Sequence, residues 1–255
     1  MAVAHARLCF GVKVKSQAVQ DRRTRTKRWA FLSEKDERSV WENIGKRDPL
    51  CGTSRHRYAV PKSGLVGKPD RVLLSIKNRT ILDVGCGYGR NCVPLATQNQ
   101  MVACDVSKSM TDRVRDVGIP FVQCDLRYLP FRTRSFDYLL NSVVLVHLPR
   151  KDVVAAIAEL KRVGKRCLLI MPNPVGTGSF FGLLHVAAAS LVALRRGTLF
   201  PLFDVPTFRG YIVNYYFPWR FRALLMRMFR NVVARASTGG VLHPLWTDRI
   251  LYDCG

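Results

Sequence analysis

Three glycines at alternate positions, Gly85, Gly87 and Gly89, follow directly on an apolar run, Thr80 to Val84, whose fourth residue is Asp83. Glycines in that setting let the backbone turn through positive φ and let a ligand approach with no Cβ in the way. A helical pattern starts at once after them, so unpaired N–H groups would face a negative ligand group. A second run, Met101 to Cys104, ends in Asp105, about 20 residues on, where a carboxylate can take the hydroxyls of a ribose. A third run, Phe121 to Cys124, ends in Asp125. The chemistry these residues permit is the binding of a nucleotide-sized ligand. The spacing D-x-G-x-G-x-G differs from the G-x-G-x-x-G dinucleotide fingerprint, so a pyrophosphate is not the first ligand it suggests. Further on, His147 has the one side chain whose ordinary pKa lies near neutrality, which makes it the candidate general base.

Placing those residues at one edge requires alternating strands and helices. Strands are expected at 80–84, 101–105, 121–124, 136–142 and 167–171. Helices are expected over 90–97, 108–117, with Ser107 as its cap, and 151–163. In the last of these, Val154, Ile157, Ala158 and Leu160 form the expected apolar side. This alternation implies a mainly parallel, doubly wound sheet with ligands at the carboxyl ends of its strands. An earlier helix is expected from Trp29 to Ile44, with Trp29, Leu32, Val40, Trp41 and Ile44 inward. A later one is expected from Trp219 to Arg230, with Phe221, Leu224, Leu225 and Met228 on one stripe. Val232 to Ala236 reads as a late strand, and Ile250-Leu251-Tyr252 as a candidate for the last.

Asp83-x-Gly85-x-Gly87-x-Gly89, Asp105, Cys124-Asp125, Leu129-Pro130-Phe131 and Ser135-Phe136-Asp137 together resemble class I S-adenosylmethionine-dependent methyltransferases. Within these the match is to the type-11 group, which includes quinone-ring C-methyltransferases and wobble-uridine tRNA methyltransferases. The resemblance covers roughly residues 70–173. It implies a Rossmann-like, doubly wound, mainly parallel seven-stranded sheet with an antiparallel edge strand. An N-terminal extension (1–67) with a cofactor-covering helix would precede the methyltransferase domain (68–255), which would carry a lid-like insert at about 175–210. The implied cofactor is S-adenosylmethionine, with S-adenosylhomocysteine as product. Gly85, Gly87 and Gly89 would flank its methionine and ribose, Asp83 its amino end and Asp105 its ribose hydroxyls. Asp125 with Leu126 would read the adenine edge, and Cys86, Val106 and Asn141 would complete the set. The acceptor implied first is a small or lipid-like molecule. RNA, particularly tRNA, is the alternative, and a non-enzymatic cofactor-binding scaffold the third reading. His147 would be the base, or a histidine that only shapes its loop. Tyr88, Tyr211, Tyr215, Tyr216 and Trp219 are candidate acceptor-side aromatics. The proline-rich tetrapeptide of DNA amino-methylases is missing where Asn141-Ser142-Val143-Val144 stands, which disfavours that chemistry.

The 255 residues carry a net charge of +23, which implies attraction to RNA, an anionic membrane surface or an acidic partner. The positive charge concentrates in the C-terminal third, since between Glu159 and Asp248 the only acid is Asp204. Eight scattered cysteines without a C-x-x-C pair fit neither a zinc site nor a disulfide framework, and suggest a reducing compartment. A cytoplasmic location is expected. An organellar matrix is the alternative if the basic, acid-poor first 20 residues are a transit peptide. The apolar stretch 180–194 is short for a membrane span and reads as a lid helix or a peripheral membrane contact. No metal is expected.

Overall fold

A computed structural model describes residues 34–47, 73–174, 187, 205–206, 211–237 and 249–255. The chain divides into units 1–31 and 32–255, and all the described residues belong to the second. Trp29, Leu32, the first 33 residues and nearly all of the expected insert therefore lie outside the described residues.

Seven strands form one sheet: β1 (Thr80–Val84), β2 (Gln100–Asp105), β3 (Phe121–Gln123), β4 (Phe136–Ser142), β5 (Gly164–Pro172), β8 (Val232–Ala236) and β9 (Arg249–Cys254). Two short strands, β6 (Val205–Pro206) and β7 (Ile212–Val213), pair separately. The order in the large sheet is β3-β2-β1-β4-β5-β9-β8. Strands β1 to β5 pair in parallel, whereas β9 runs antiparallel to both β5 and β8. The order reverses between β1 and β4, and open α/β sheets bind ligands at such a point.

Alternation along the strands makes two cores. Leu82, Leu139, Leu169 and Tyr252 point to one face, where α4 (Val153–Val163) and α5 (Pro218–Met226) cover them. Ile81, Leu140, Ile170 and Leu251 point to the other, with α2 (Cys92–Leu95) and α3 (Asp112–Asp116). The first described helix, α1 (Glu34–Arg47), packs on the one-turn helix Ser109–Thr111 after β2. No helix among the described residues is long and apolar enough to cross a membrane.

Several expected boundaries move, each for a local reason. The helix after the glycines begins at Cys92 instead of Arg90, because Gly89 is still at positive φ (78°). The helix expected from Lys108 splits into the one-turn segment and α3, while Ser107 Oγ accepts the Met110 N–H as a cap would. In α4 the apolar stripe is out of phase with the expected one. Val153, Ala156, Ile157, Leu160 and Val163 are buried, while Val154 is 50% exposed and Ala158 faces solvent. A stripe that starts one residue earlier gathers five apolar residues at spacings of three and four, and the larger stripe wins the core. The late helix ends at Met226, four residues short of the expected Arg230, and Pro218 sits in its first turn, where its missing N–H costs nothing.

Candidate functional site

The turn after β1 has Gly85, Gly87 and Gly89 all in the left-handed region, at φ 73°, 50° and 78°. Each would be strained with a side chain, but the surroundings differ. A Cβ on Gly85 would lie 2.2 Å from Val144 Cγ2, and one on Gly89 2.7 Å from Val93 and Val114. Around Gly87 the space is open, with nothing nearer than Met110 Cε at 3.9 Å. Gly85 and Gly89 thus seat the turn on its neighbours, and Gly87 turns its open side to a cavity of about 250 Å³.

That cavity brings together most of the expected residues. Gly85, Cys86, Gly87, Asp105, Val106, Asp125, Leu126 and His147 all line it, with Tyr88 beside them. Asp83, Gly89 and Asn141 stand behind the wall. Asp83 is 2% exposed, accepts hydrogen bonds from the Cys92 thiol and backbone N–H, and so ties β1 to the start of α2. Burial pushes its pKa up to about 7. The charge of Arg90 opposes that rise, and the Asp105 charge adds to it.

Asp105 sits at the end of β2 and accepts the Gly87 N–H on one carboxylate oxygen and the Ser107 N–H on the other, each at 2.9 Å. Burial raises its pKa, and these backbone bonds hold it back. The Val106 N–H is a third backbone donor, which leaves the carboxylate room to accept a further hydrogen bond from a ribose hydroxyl. Asp125 is more heavily engaged. Its Oδ1 accepts both the backbone N–H and the Nε–H of Arg127, and its Oδ2 accepts Nη2 at 2.7 Å. Arg127 also reaches Asp152 and, across to α1, Glu37, each at 3.0 Å. One cation thus holds three carboxylates at this end of the cavity. Burial raises the pKa of Glu37, which the Arg127 charge opposes and Asp125 and Asp152 reinforce.

The other wall is aromatic and comes partly from α1. Trp41 stacks on Tyr211 (ring centroids 5.1 Å apart, 23° between planes) and meets the edge of His147 at 5.1 Å. Tyr211 also meets His147 edge-on. His147 Nδ1 lies 3.0 Å from the Ile212 carbonyl oxygen. A carbonyl only accepts, so Nδ1 carries the proton and Nε2 keeps its lone pair. Burial lowers the pKa of this histidine, against the pull of the Ile212 carbonyl, and it is neutral at pH 7. Of the other candidate aromatics, Tyr216 packs on Phe221 and Trp219 is 56% exposed on α5, away from this wall.

Glu42 fixes α1 in place. Its carboxylate accepts the N–H groups of Lys108 (2.8 Å) and Ser109 (3.1 Å), while Ser109 Oγ donates to the Glu42 backbone carbonyl. Partial burial works to raise the pKa of Glu42, but the bonds from Ser109 and Lys108 win and hold it at about 2. One turn on, Gly45 lies so close to the same segment that a Cβ would fall 2.3 Å from Ser109 Oγ and 2.9 Å from the Met110 backbone nitrogen.

Arg90, Trp41, Glu42 and Arg127 were not legible as site residues in the sequence. Arg90, which lines the cavity and donates to Ser142 Oγ at 2.8 Å, follows the glycine motif directly, and that position was the available signal. At the end of β4, Val143 lines the cavity at φ 62°, a strained conformation for a β-branched residue, held by its N–H bond to Ile170. Beside it, Asn141 is fully buried and donates to the Val84 carbonyl, and its Oδ1 has no hydrogen-bond partner among the described residues. The open acceptor on Asp105 and the cradle at Gly87 fit a ligand with ribose hydroxyls. The residues present therefore suit the cofactor that the resemblance implies.

Residues 81–166 match the family model described as a methyltransferase domain. The chain is 32% identical over 88 residues to a tRNA (carboxymethyluridine(34)-5-O)-methyltransferase of Xenopus tropicalis, which covers 34% of this chain and 14% of that protein. It is 27% identical over 169 residues to a ubiquinone biosynthesis O-methyltransferase of Bartonella quintana, 62% of this chain and 68% of that one. The chain spans only 14 to 19% of the length of the tRNA methyltransferase relatives. In fold it is similar to the 1,6-didemethyltoxoflavin-N1-methyltransferase of Burkholderia thailandensis, at a TM-score of 0.60 and 12% identity, covering 89% of this chain and 92% of that one.

Proposed function

We propose that this chain, which belongs to the class I S-adenosylmethionine-dependent methyltransferases of the type-11 group, transfers a methyl group to a small or lipid-like acceptor at the aromatic wall of its cavity. The observation that carries this is the shared cavity. The glycine turn and Asp105 line one side of it, and Trp41 and His147 line the other. When bound there, S-adenosylmethionine supplies a methyl group already activated by a sulfonium charge, so the protein has to align, deprotonate and exclude water. Asp105 holds the ribose hydroxyls, and the remaining acceptor position on Asp125 Oδ2 takes the adenine amino group. Trp41, backed by the Tyr211 ring, positions a flat acceptor. His147 Nε2 takes the acceptor proton as the methyl group arrives, and the Ile212 carbonyl steadies the imidazolium that forms.

Six described cysteines are free thiols, which supports a reducing, cytoplasmic setting. The helix α1 is the cofactor-covering helix of an N-terminal extension. The test is calorimetric titration of S-adenosylmethionine and S-adenosylhomocysteine into the wild type and Asp105→Ala, followed by labelled cofactor with metabolite and lipid extracts. Micromolar binding that the variant loses, then label transferred to a small molecule, is the expected result. A folded wild type that binds neither ligand overturns the cofactor site. Binding without transfer to any extract overturns the acceptor class. A second reading, an RNA acceptor, is favoured by one surface.

A further inference from the structure

The outer face of α5 is built unlike the rest of the surface. From Tyr211 to Ser237 there is no acid, and Arg220, Arg222, Arg227, Arg230 and Arg235 are all exposed. None of the five has an ion-pair partner among the described residues, whereas Arg127, Arg162 and Arg166 all hold carboxylates. The acid on the neighbouring strand, Asp253, is already held by Arg166 through both oxygens. The exposed arginines therefore present charge that no carboxylate among the described residues pairs with.

At about 100° per residue, the exposed arc of α5 reads Arg222, Met226, Trp219, Ala223, Arg227, Arg220 from one side to the other. An exposed tryptophan and methionine, 56% and 55% accessible, run down the middle with guanidinium groups on both flanks. Trp219 is not a loose side chain. Its ring stacks on Phe217 at 4.9 Å and 18°, which fixes its plane. A fixed flat ring among arginines is what unpaired bases and their phosphates require: stacking on the ring and bidentate contacts from the guanidinium forks. An anionic membrane is the poorer match. The apolar side of this helix, Phe221 and Leu225, is spent in the core against Tyr252 and its neighbours, so no apolar face remains to enter a bilayer.

The same surface is tied to the cavity. Asn214 Nδ2 donates to the Val146 and Leu148 carbonyls on either side of His147, and Tyr211 stacks on Trp41. Residues 211–217, which can span at most about 25 Å, run from there to the start of α5. We infer that the arginine face of α5, with Trp219 at its centre, is a docking surface for single-stranded or looped RNA beside the methyl-transfer cavity. The inference deepens the RNA reading above, but the docking itself rests on the surface alone.

The test is RNA binding by the full chain without cofactor, measured by anisotropy of a fluorescein-labelled RNA hairpin across a salt series. Cofactor titration of the same preparations keeps the two sites distinguishable. Arg220→Gln/Arg227→Gln/Arg230→Gln is compared with Lys77→Gln/Arg132→Gln/Lys151→Gln, which removes the same charge from exposed positions elsewhere. The first triple variant should weaken binding and flatten the salt slope by about one unit per phosphate-contacting arginine, and the second should leave both nearly unchanged. Trp219→Ala should cost about tenfold at fixed salt. Equal weakening by both triple variants would overturn the surface in favour of diffuse charge. So would tight binding to phosphatidylserine vesicles with none to RNA, or no effect of Trp219→Ala.

Discussion

Replacing Gly45 with alanine isolates what α1 does. In an exposed helix interior a glycine-to-alanine change stabilises by about 1 kcal/mol through backbone entropy and helix propensity. Here the new methyl would arrive 2.3 Å from Ser109 Oγ, 2.9 Å from Met110 Cγ and 2.9 Å from the Met110 backbone nitrogen. The serine hydroxyl can rotate aside, although it then gives up its bond to the Glu42 carbonyl. The backbone nitrogen cannot move without shifting the one-turn helix. Overpacking of this kind costs about 1–3 kcal/mol, so against that gain docking of α1 should lose up to about 2 kcal/mol net, up to about 30-fold in the docked equilibrium. The helix itself should be no weaker. Because α1 carries Trp41 and Glu37 into the cavity wall, the loss should reach the ligand. Hydrogen exchange should show faster opening of residues 34–47 with little change in β1 and β4, and calorimetry should show weaker S-adenosylmethionine binding. If Gly45→Ala protects α1 as well as the wild type and binds the cofactor equally, the close approach is not what holds this helix.

Three further outcomes follow from the site's electrostatics. Glu42 has its pKa lowered to about 2, so its contribution to α1 docking is complete above the ordinary value of 4.5 and is lost as pH falls toward 2. Protection of α1 amides relative to their intrinsic exchange, followed down that window, should fall in the wild type and stay flat in Glu42→Gln. His147 has a lowered pKa, so the unfolded chain takes the proton first as pH drops below 6.5, and stability should decline there. His147→Gln should remove that pH dependence in thermal melts and cut turnover about 10²–10⁴-fold with cofactor affinity retained. Arg127→Ala leaves Glu37, Asp125 and Asp152 facing one another, which should cost about 2–3 kcal/mol by urea titration, lessened by water at the cavity.

What the sequence made legible was local. The turn at Gly85, Gly87 and Gly89 and the acid at Asp105 follow from spacing within one βαβ unit, and β4 and β8 stand at the expected residues. Contacts between distant segments gave no such signal. Arg127 reads in sequence as one more base in a basic chain, and its partners lie 90 positions upstream and 25 downstream. Glu42 reads as a helix-surface acid until its partners, 66 and 67 positions away, are seen. Val143 carried a signal opposed to the outcome, since a β-branched residue predicts extended backbone and this one turns through φ 62°. Asp83 was legible as important from its place in the glycine motif. Its spacing is that of a ligand-facing acid, and burial under the turn makes it an anchor for α2.

The net charge of +23 conceals a segregation that the fold makes visible. Six of the 18 acids, Glu37, Glu42, Asp83, Asp105, Asp125 and Asp152, gather in or directly behind the cavity wall, where Arg90 and Arg127 are the cations lining it. The unpaired arginines lie on the far side of the segment 211–217. An acidic cavity in a basic chain favours a cationic ligand, and a sulfonium is one. A phosphate backbone would be repelled from it. A phosphate chain held on α5 meets exposed guanidinium groups there, and salt weakens what it feels of the cavity acids. The two surfaces can therefore serve ligands of opposite charge without competing. A nucleic acid docked on α5 would have to present an uncharged, flat group to Trp41 and Tyr211, while its phosphates stay outside.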